Sequence, residues 1–366
     1  MAIGLFFAML WWASAWLARR TLSGLMVTSR LADDTAEIGQ AVGSEMLVVN
    51  PLPWPILDVA WKLSIPRDLE GEASKGRGLS GNLWVGARQR VRIRMEVYPT
   101  SRGRYRIGPG SLTFKDPLSW NELIREDQEV TYLTVFPRRY PVPEALQSQF
   151  SDFGEYRGLP WDPVDPLRVT GVRPYQPGDS IRRLSAHASA RFHQPMVKEW
   201  EPVQARALEI ILHPKTTDHH WQGVDREALE DTVSIAAGVV EWAAKEHRPL
   251  GLSGSGSIPG HIHGFRLANQ THADLGSLLT ALAWVQPSGT MDEDLIPVAH
   301  QTLSPLKPLA LVVVVSPYWP EAMAPLLARR RGQRIAWVHL SAGSKIPETP
   351  EGVRHWHWQE GAWRRV

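Results

Sequence analysis

The sequence predicts a multidomain α+β chain: an N-terminal transmembrane helix, a β-sandwich, then an α/β domain with a doubly wound, Rossmann-like sheet. Three observations predict it. Residues Ala2 to Ala18 form an uncharged, almost wholly apolar run. From about Leu22 to Arg139, short apolar alternations are broken by Pro and Gly, the pattern of short strands at regular spacing. From Leu208 onward, apolar strand-like runs alternate with stretches of helical period, which implies β-α-β units. At 366 residues the chain accommodates two or three domains. The expected boundaries are 1–20 for the anchor, 21–140 for the sandwich, 141–203 for a connecting segment and 204–366 for the α/β domain.

The first element is read as a membrane anchor. Seventeen residues (2–18) at 1.5 Å rise span about 25 Å, near the lower limit for a bilayer. Trp11, Trp12 and Trp16 cluster at its downstream end, where an interfacial aromatic belt would lie. Arg19, Arg20 and Arg30 follow, and no basic residue precedes the run. The positive-inside rule then places everything after Arg19 in the cytoplasm, as a single-pass protein of the cell membrane. A cleaved signal peptide competes, with Ala13-Ser14-Ala15 as a cleavage-like site, but it lacks the basic n-region.

The second element is the β region. Within it, Arg88, Arg90, Arg92 and Arg94 alternate with Gln89, Val91, Ile93 and Met95. Side chains alternate faces along a strand, so the four Arg share one face. Arg102, Arg104 and Arg106 repeat the pattern after a turn at Pro99-Thr100. If the two strands pair, seven Arg cover one sheet face. Such a face suits anionic lipid or an acidic partner, and equally a solvated surface neutralised by nearby carboxylates.

The third element carries the most distinctive motif. It holds Arg173, Tyr175, Gly178, Asp179, Arg182, Ser189, Ala190 and Arg191, with a Lys198-Glu199 pair downstream. Asp179 between Arg182 and Arg191 offers one acid to two guanidiniums. This segment resembles the signature of the family called domain of unknown function 58. Arg102-Gly103-Arg104-Tyr105 and Asp116-Pro117-Leu118 resemble further steps of it. Ala186 stands where the family usually has Trp, and His187 where it has a basic residue. Family members usually carry two N-terminal membrane helices, and this chain shows one. The motif residues serve either as an interdomain lock or as a partner contact.

The fourth element is the α/β part. Strands are expected at Leu208–Leu212, Leu250–Ser253, Leu309–Val315 and Ile335–Leu340, with helices at Asp225–His247, His272–Trp284 and near Glu321–Arg331. Gly251–Gly256 reads as a flexible loop without the Gly-Lys-Ser/Thr of a P-loop. The resemblance implies a von Willebrand factor A-like domain, whose relatives often hold Mg²⁺ on Asp-x-Ser-x-Ser after the first strand. Here that stretch is His213-Pro214-Lys215-Thr216-Thr217. With His213, Lys215 and Thr217 at those positions the metal site is degenerate, because an ammonium repels the cation. No cofactor is expected.

Composition narrows the function further. With no cysteine, the chain has no disulfide, no Cys-ligated metal and no Cys nucleophile. The 40 basic and 38 acidic residues leave +2, so no whole-chain field draws it to nucleic acid. The pairs His261-x-His263 and His355-x-His357, and the adjacent His219-His220, fall short of a zinc motif. No Gly-x-Ser-x-Gly elbow occurs. The expectation is a membrane-anchored, non-enzymatic interaction protein, contacting the bilayer through residues 2–18 and binding no nucleic acid. The resemblance implies a MoxR-type AAA+ ATPase and other membrane-associated proteins as partners. The alternatives are an externally facing, metal-dependent adhesion protein and, more remotely, a hydrolase built from scattered His and Asp.

Overall fold

The computed structural model describes residues 2–71, 79–115, 122–126, 130–147, 156–157, 164–176, 184–204, 208–217, 223–270, 274–287, 291–304, 311–329, 336–343 and 345–366. The chain opens with helix α1 (Ala2–Gly24), and here the first expectation is corrected. Among the described residues no helix is long and apolar enough to cross a membrane. The reason lies in how α1 is used. Its downstream turns dock on the β domain, burying Ser14, Ala18, Thr21 and Leu22. The Trp54 indole N–H donates to Thr21 Oγ1 at 3.3 Å. Arg125 donates to the carbonyls of Leu22 and Ser23 at 2.9 Å each, filling acceptors that a helix end leaves open. The exposed apolar stretch, Ile3 to Trp16, is about 21 Å long, short of the roughly 30 Å of bilayer hydrocarbon. The single-pass membrane placement, and the cytoplasmic side read from Arg19, Arg20 and Arg30, fall with the span.

Eleven strands follow: β1 (Met26–Leu31), β2 (Thr35–Glu37), β3 (Val42–Val49), β4 (Ile56–Leu63), β5 (Leu69–Gly71), β6 (Leu79–Val85), β7 (Arg90–Pro99), β8 (Gly103–Ile107), β9 (Gly110–Lys115), β10 (Glu122–Glu126) and β11 (Thr131–Phe136). They form sheets ordered β1-β3-β7-β5, β10-β9-β4-β6 and β2-β11-β8. Alternation along β3 and β7 turns Met46, Val48 and Val97 inward, and one core joins all three sheets to Ala18, Leu22 and Leu25 of the α1 region. The two Arg-rich strands do not pair, because β7 and β8 lie in different sheets. Arg88 precedes β7 in a turn with φ of 53°. Arg90, Arg92 and Arg94 are exposed as expected. Arg92 meets Glu45 at 2.7 Å, and Arg94 lies opposite Glu45 across the ladder. Arg104 and Arg106 are exposed, but Arg102 is buried.

An arm then connects the domains: β12 (Tyr156–Arg157), the long strands β13 (Val164–Pro174) and β14 (Met196–Gln204), and the short helix α2 (Ala186–Phe192) between them. β14 pairs with both neighbours. Ser185 caps α2 by accepting from the Ala188 amide.

The last part is a seven-stranded sheet ordered β17-β16-β15-β18-β19-β20-β21. Its strands are β15 (Leu208–Leu212), β16 (Leu250–Gly254), β17 (Phe265–Gln270), β18 (Leu311–Val315), β19 (Ala336–Ala342), β20 (Arg354–Gln359) and β21 (Ala362–Arg365). The five inner strands are parallel and the two edges antiparallel. Helices α3 (Arg226–Lys245) and α4 (Leu275–Trp284) share a core with alternate residues of one sheet face. Helices α5 (Met291–Leu303) and α6 (Ala324–Arg329) cover the opposite face, where Val312, Val314 and Trp337 point. The strand expected at Leu250–Ser253 forms as buried β16, so the flexible-loop reading of Gly251–Gly256 fails over residues 251–254. A Cβ at Gly251 would collide with the Glu209 carboxylate, so glycine here serves close packing rather than mobility.

The two domains are bolted together. Arg102, buried in the β domain, donates to Glu230 of α3 at 2.9 Å and to the Val285 carbonyl at 3.1 Å. Arg104 lies over the rings of Tyr132 and Trp284. Tyr140 donates to Asp231 at 2.6 Å and stacks on Trp358.

Candidate functional site

Strand order locates the crevice. From β15 the chain winds to β16 on one side, and from β18 it winds to β19 on the other. In such sheets ligands bind outside the carboxyl ends of the strands where the direction reverses. Those ends carry His213, which follows β15, and Ser316, which follows β18.

Around His213 the structure assembles a relay. Its Nδ1 lies 2.7 Å from Ser255 Oγ, and its Nε2 lies 3.4 Å from Asp292 Oδ1. Lys215 Nζ donates to Asp292 Oδ2 at 2.7 Å. A carboxylate only accepts, so His213 carries its proton on Nε2 and receives the Ser255 hydroxyl at Nδ1. Burial pushes the His213 pKa down and keeps the ring neutral. The His213 N–H and the Lys215 ammonium hold the Asp292 carboxyl well below the usual carboxylate range. Thr217 Oγ1 donates to the Gly223 carbonyl, and Thr216 Oγ1 accepts from the Asp225 amide. The hydroxyls of this loop are thus committed to shaping the entry into α3.

Serine, histidine and aspartate in series suggest a nucleophilic triad, but access is inverted. Ser255 is fully buried, while the Asp292 side chain is 57% exposed. A nucleophile must meet its substrate, and here only the acid and the ammonium face outward. Among the described residues no three His, Asp or Glu groups are placed to hold a metal ion. Lys215→Met is expected to raise the Asp292 pKa toward the ordinary carboxylate range by removing its ammonium partner. A carbon-detected NMR titration of the carboxyl measures this, and an unmoved value would mean that His213 alone holds the charge.

One strand further along lies a second polar cluster. His357 donates from Nε2 to the Gly343 carbonyl at 3.0 Å, which leaves Nδ1 to accept from Ser341 Oγ at 2.9 Å. Ser341 Oγ must then accept from His355 Nε2 at 2.7 Å. His339 Nε2 likewise donates to the Ser316 carbonyl at 3.1 Å. The rings of His339 and His355 stack at 4.7 Å, and the Nδ1 of each is buried without a partner. Burial, then neighbouring His355 and His357, push the His339 pKa down to about 3. Burial, then His357, push His355 down to about 4. Burial also lowers His357, and nearby Arg364 adds to it.

The sequence-selected residues are therefore dispersed. His213 and Lys215 converge, joined by Ser255 and Asp292, which sequence reasoning missed. Asp292 sits in an acidic first turn of α5, a pattern that ordinary helix-dipole chemistry already explains. His355 and His357 share one face of β20 but turn into the core. His263 is exposed and faces Asp294 at 3.4 Å. On the arm, Arg173 donates to the Pro174 carbonyl at 3.2 Å, Tyr175 is 37% exposed, and Arg191 is exposed at the end of α2. Ser189 Oγ accepts from the Met196 amide at 2.8 Å. Gly178, Asp179, Arg182, residues 116–118 and His219-His220 lie outside the described residues.

Comparison with known proteins finds a family that part of this chain resembles. Residues 171–341 match the family described as Protein of unknown function DUF58, so the resemblance drawn from the signature residues holds over that stretch. The uncharacterized protein YeaD of Bacillus subtilis (strain 168) is 22% identical over 229 residues, covering 62% of this chain and 55% of that protein. The match thus spans little more than half of the relative's length. Among solved structures, the CARDB domain of the PF1109 protein from Pyrococcus furiosus aligns at a TM-score of 0.22 and 16% identity, over 30% of this chain and 91% of that chain. The alkylpurine DNA glycosylase AlkC of Pseudomonas fluorescens aligns at 0.20 and 13% identity, over 31% of this chain and 30% of that chain. Likenesses this slight carry no argument.

Proposed function

We propose that this chain is a non-enzymatic interaction protein that works with a MoxR-type AAA+ ATPase in assembling or activating other complexes. In this reading the C-terminal part is a von Willebrand factor A-like domain whose cation position is filled by its own lysine. One observation carries the non-enzymatic half. At the crevice, the Ser255–His213–Asp292 relay seals its nucleophile inside and neutralises its outward carboxylate with Lys215. A centre arranged this way offers fixed charge to a partner and no reactive atom to a substrate. The ATPase half rests on the family resemblance, with the partner supplying the nucleotide chemistry that this chain lacks a P-loop to perform.

The test is direct binding. The purified full chain is titrated against a MoxR-type ATPase with ATP and with ADP, and micromolar or tighter binding in at least one state is expected. Absence of binding in both states would remove the ATPase from the proposal. A fluorophosphonate probe that labelled Ser255 would overturn the non-enzymatic reading.

A further inference from the structure

Among the described residues, none between Leu146 and Leu208 enters a core cluster. Among the arm residues whose burial is described, Ser185, Ala188, Met196 and Val197 are buried. The tip of the arm, where β13 leads through α2 into β14, exposes large apolar side chains. Tyr175 is 37% exposed, Leu184 37% and Phe192 52%. Arg191, His187 and His193 are exposed around them.

Charge gathers at the same end. Among the described residues from Arg173 to Lys198, Arg173, Arg191 and Lys198 are basic and none is acidic, whereas the whole chain nets only +2. The acids of β13 and β14, Asp165, Glu199 and Glu201, stand in the strands beyond that end. A protein surface meeting the tip alone would feel only the basic end. Phosphate binding, moreover, rewards charge and makes little use of exposed Leu and Phe. Exposed aromatic and Arg side chains are the types that dominate protein interfaces.

We propose that the tip of this arm docks an acidic protein surface, with Phe192 and Tyr175 as apolar anchors and Arg191 as the charge contact. This rests on the interaction-protein reading but not on the identity of the ATPase. The probe is a labelled, Glu-rich peptide carrying one Leu, titrated into the full chain. Arg191→Glu and Phe192→Ser are each expected to weaken binding at least about tenfold. Arg90→Glu on the distant sheet should leave it unchanged. Both arm side chains are exposed, so unchanged melting temperatures should accompany the loss.

Failure of the wild type to bind the peptide, or equal affinity across all variants, would overturn the inference. So would tighter, arm-dependent binding of a DNA duplex or of vesicles rich in anionic lipid. Titrating the ATPase in parallel separates the two readings. If it binds wild type and Arg191→Glu alike, the partnership stands and the docking surface falls. If the peptide binds through the arm while the ATPase does not bind, the reverse holds.

Discussion

Arg102→Ala is expected to cost about 3–5 kcal/mol of stability, among the largest effects of any single substitution in this chain. The guanidinium is 7% exposed and joins the β domain to both Glu230 and the Val285 carbonyl. Burial lowers the Arg102 pKa despite the carboxylate beside it, so its desolvation outweighs the attraction. Burial likewise pushes the Glu230 pKa up, against the pull of Arg102. The pair adds little net stability over an apolar substitute, yet deleting one member leaves a half-buried acid and a carbonyl without their donor. Lysine is expected to rescue only part, because it cannot fork to two acceptors. Urea denaturation monitored by tryptophan fluorescence measures the loss. A cost below about 1 kcal/mol would show that this joint does not hold the domains together.

The second large effect is acid sensitivity. His339 and His355 have folded-state pKa values pushed down to about 3 and about 4, below the ordinary value near 6.5. His357 and His213 are lowered in the same direction. The unfolded chain therefore binds more protons than the folded one as pH falls below about 6.5, and stability declines with falling pH. The decline continues until the folded-state values are reached. Each such histidine contributes a slope of about 1.4 kcal/mol per pH unit. Between about pH 6.5 and 5.5 ordinary carboxylates stay ionised, so histidine dominates that window. The groups facing the stack are Trp319, Ser316, Ser341 and, beside His357, Arg364. His339→Phe should flatten the profile by one group's slope while keeping an aromatic ring against His355. Stability that stayed level from about pH 6.5 to 5.5 in the wild type would refute the buried neutral cluster.

Local pattern made the parallel strands legible. Leu311–Val315 is apolar on every side because both faces of its sheet are covered, and such a run has no other economical use. The helix expected over 225–247 is equally legible from its helical period, and the structure forms it at Arg226–Lys245. Helix α5 was missed because Pro297 interrupts its pattern. Strands β20 and β21 were missed because Trp, His and Arg fill them. Apolar content at α1 suggested a span, but composition does not record that Ser14, Ala18, Thr21 and Leu22 face a sheet.

The sequence by itself determined the order of the β-rich and α/β parts and the resemblance that residues 171–341 bear to the family they match. Periodicity, charge and short motifs are local properties, written within a few residues of one another. The tertiary structure alone decided that α1 docks on the β domain, that the two Arg-rich strands lie in separate sheets, and that Arg102 is a buried joint. It also joined Ser255 and Asp292 to His213, and stacked His339 on His355. Each of these depends on residues tens to more than a hundred positions apart, or on elements paired across sheets. Only chain packing brings such groups together, and no spacing along the sequence encodes it.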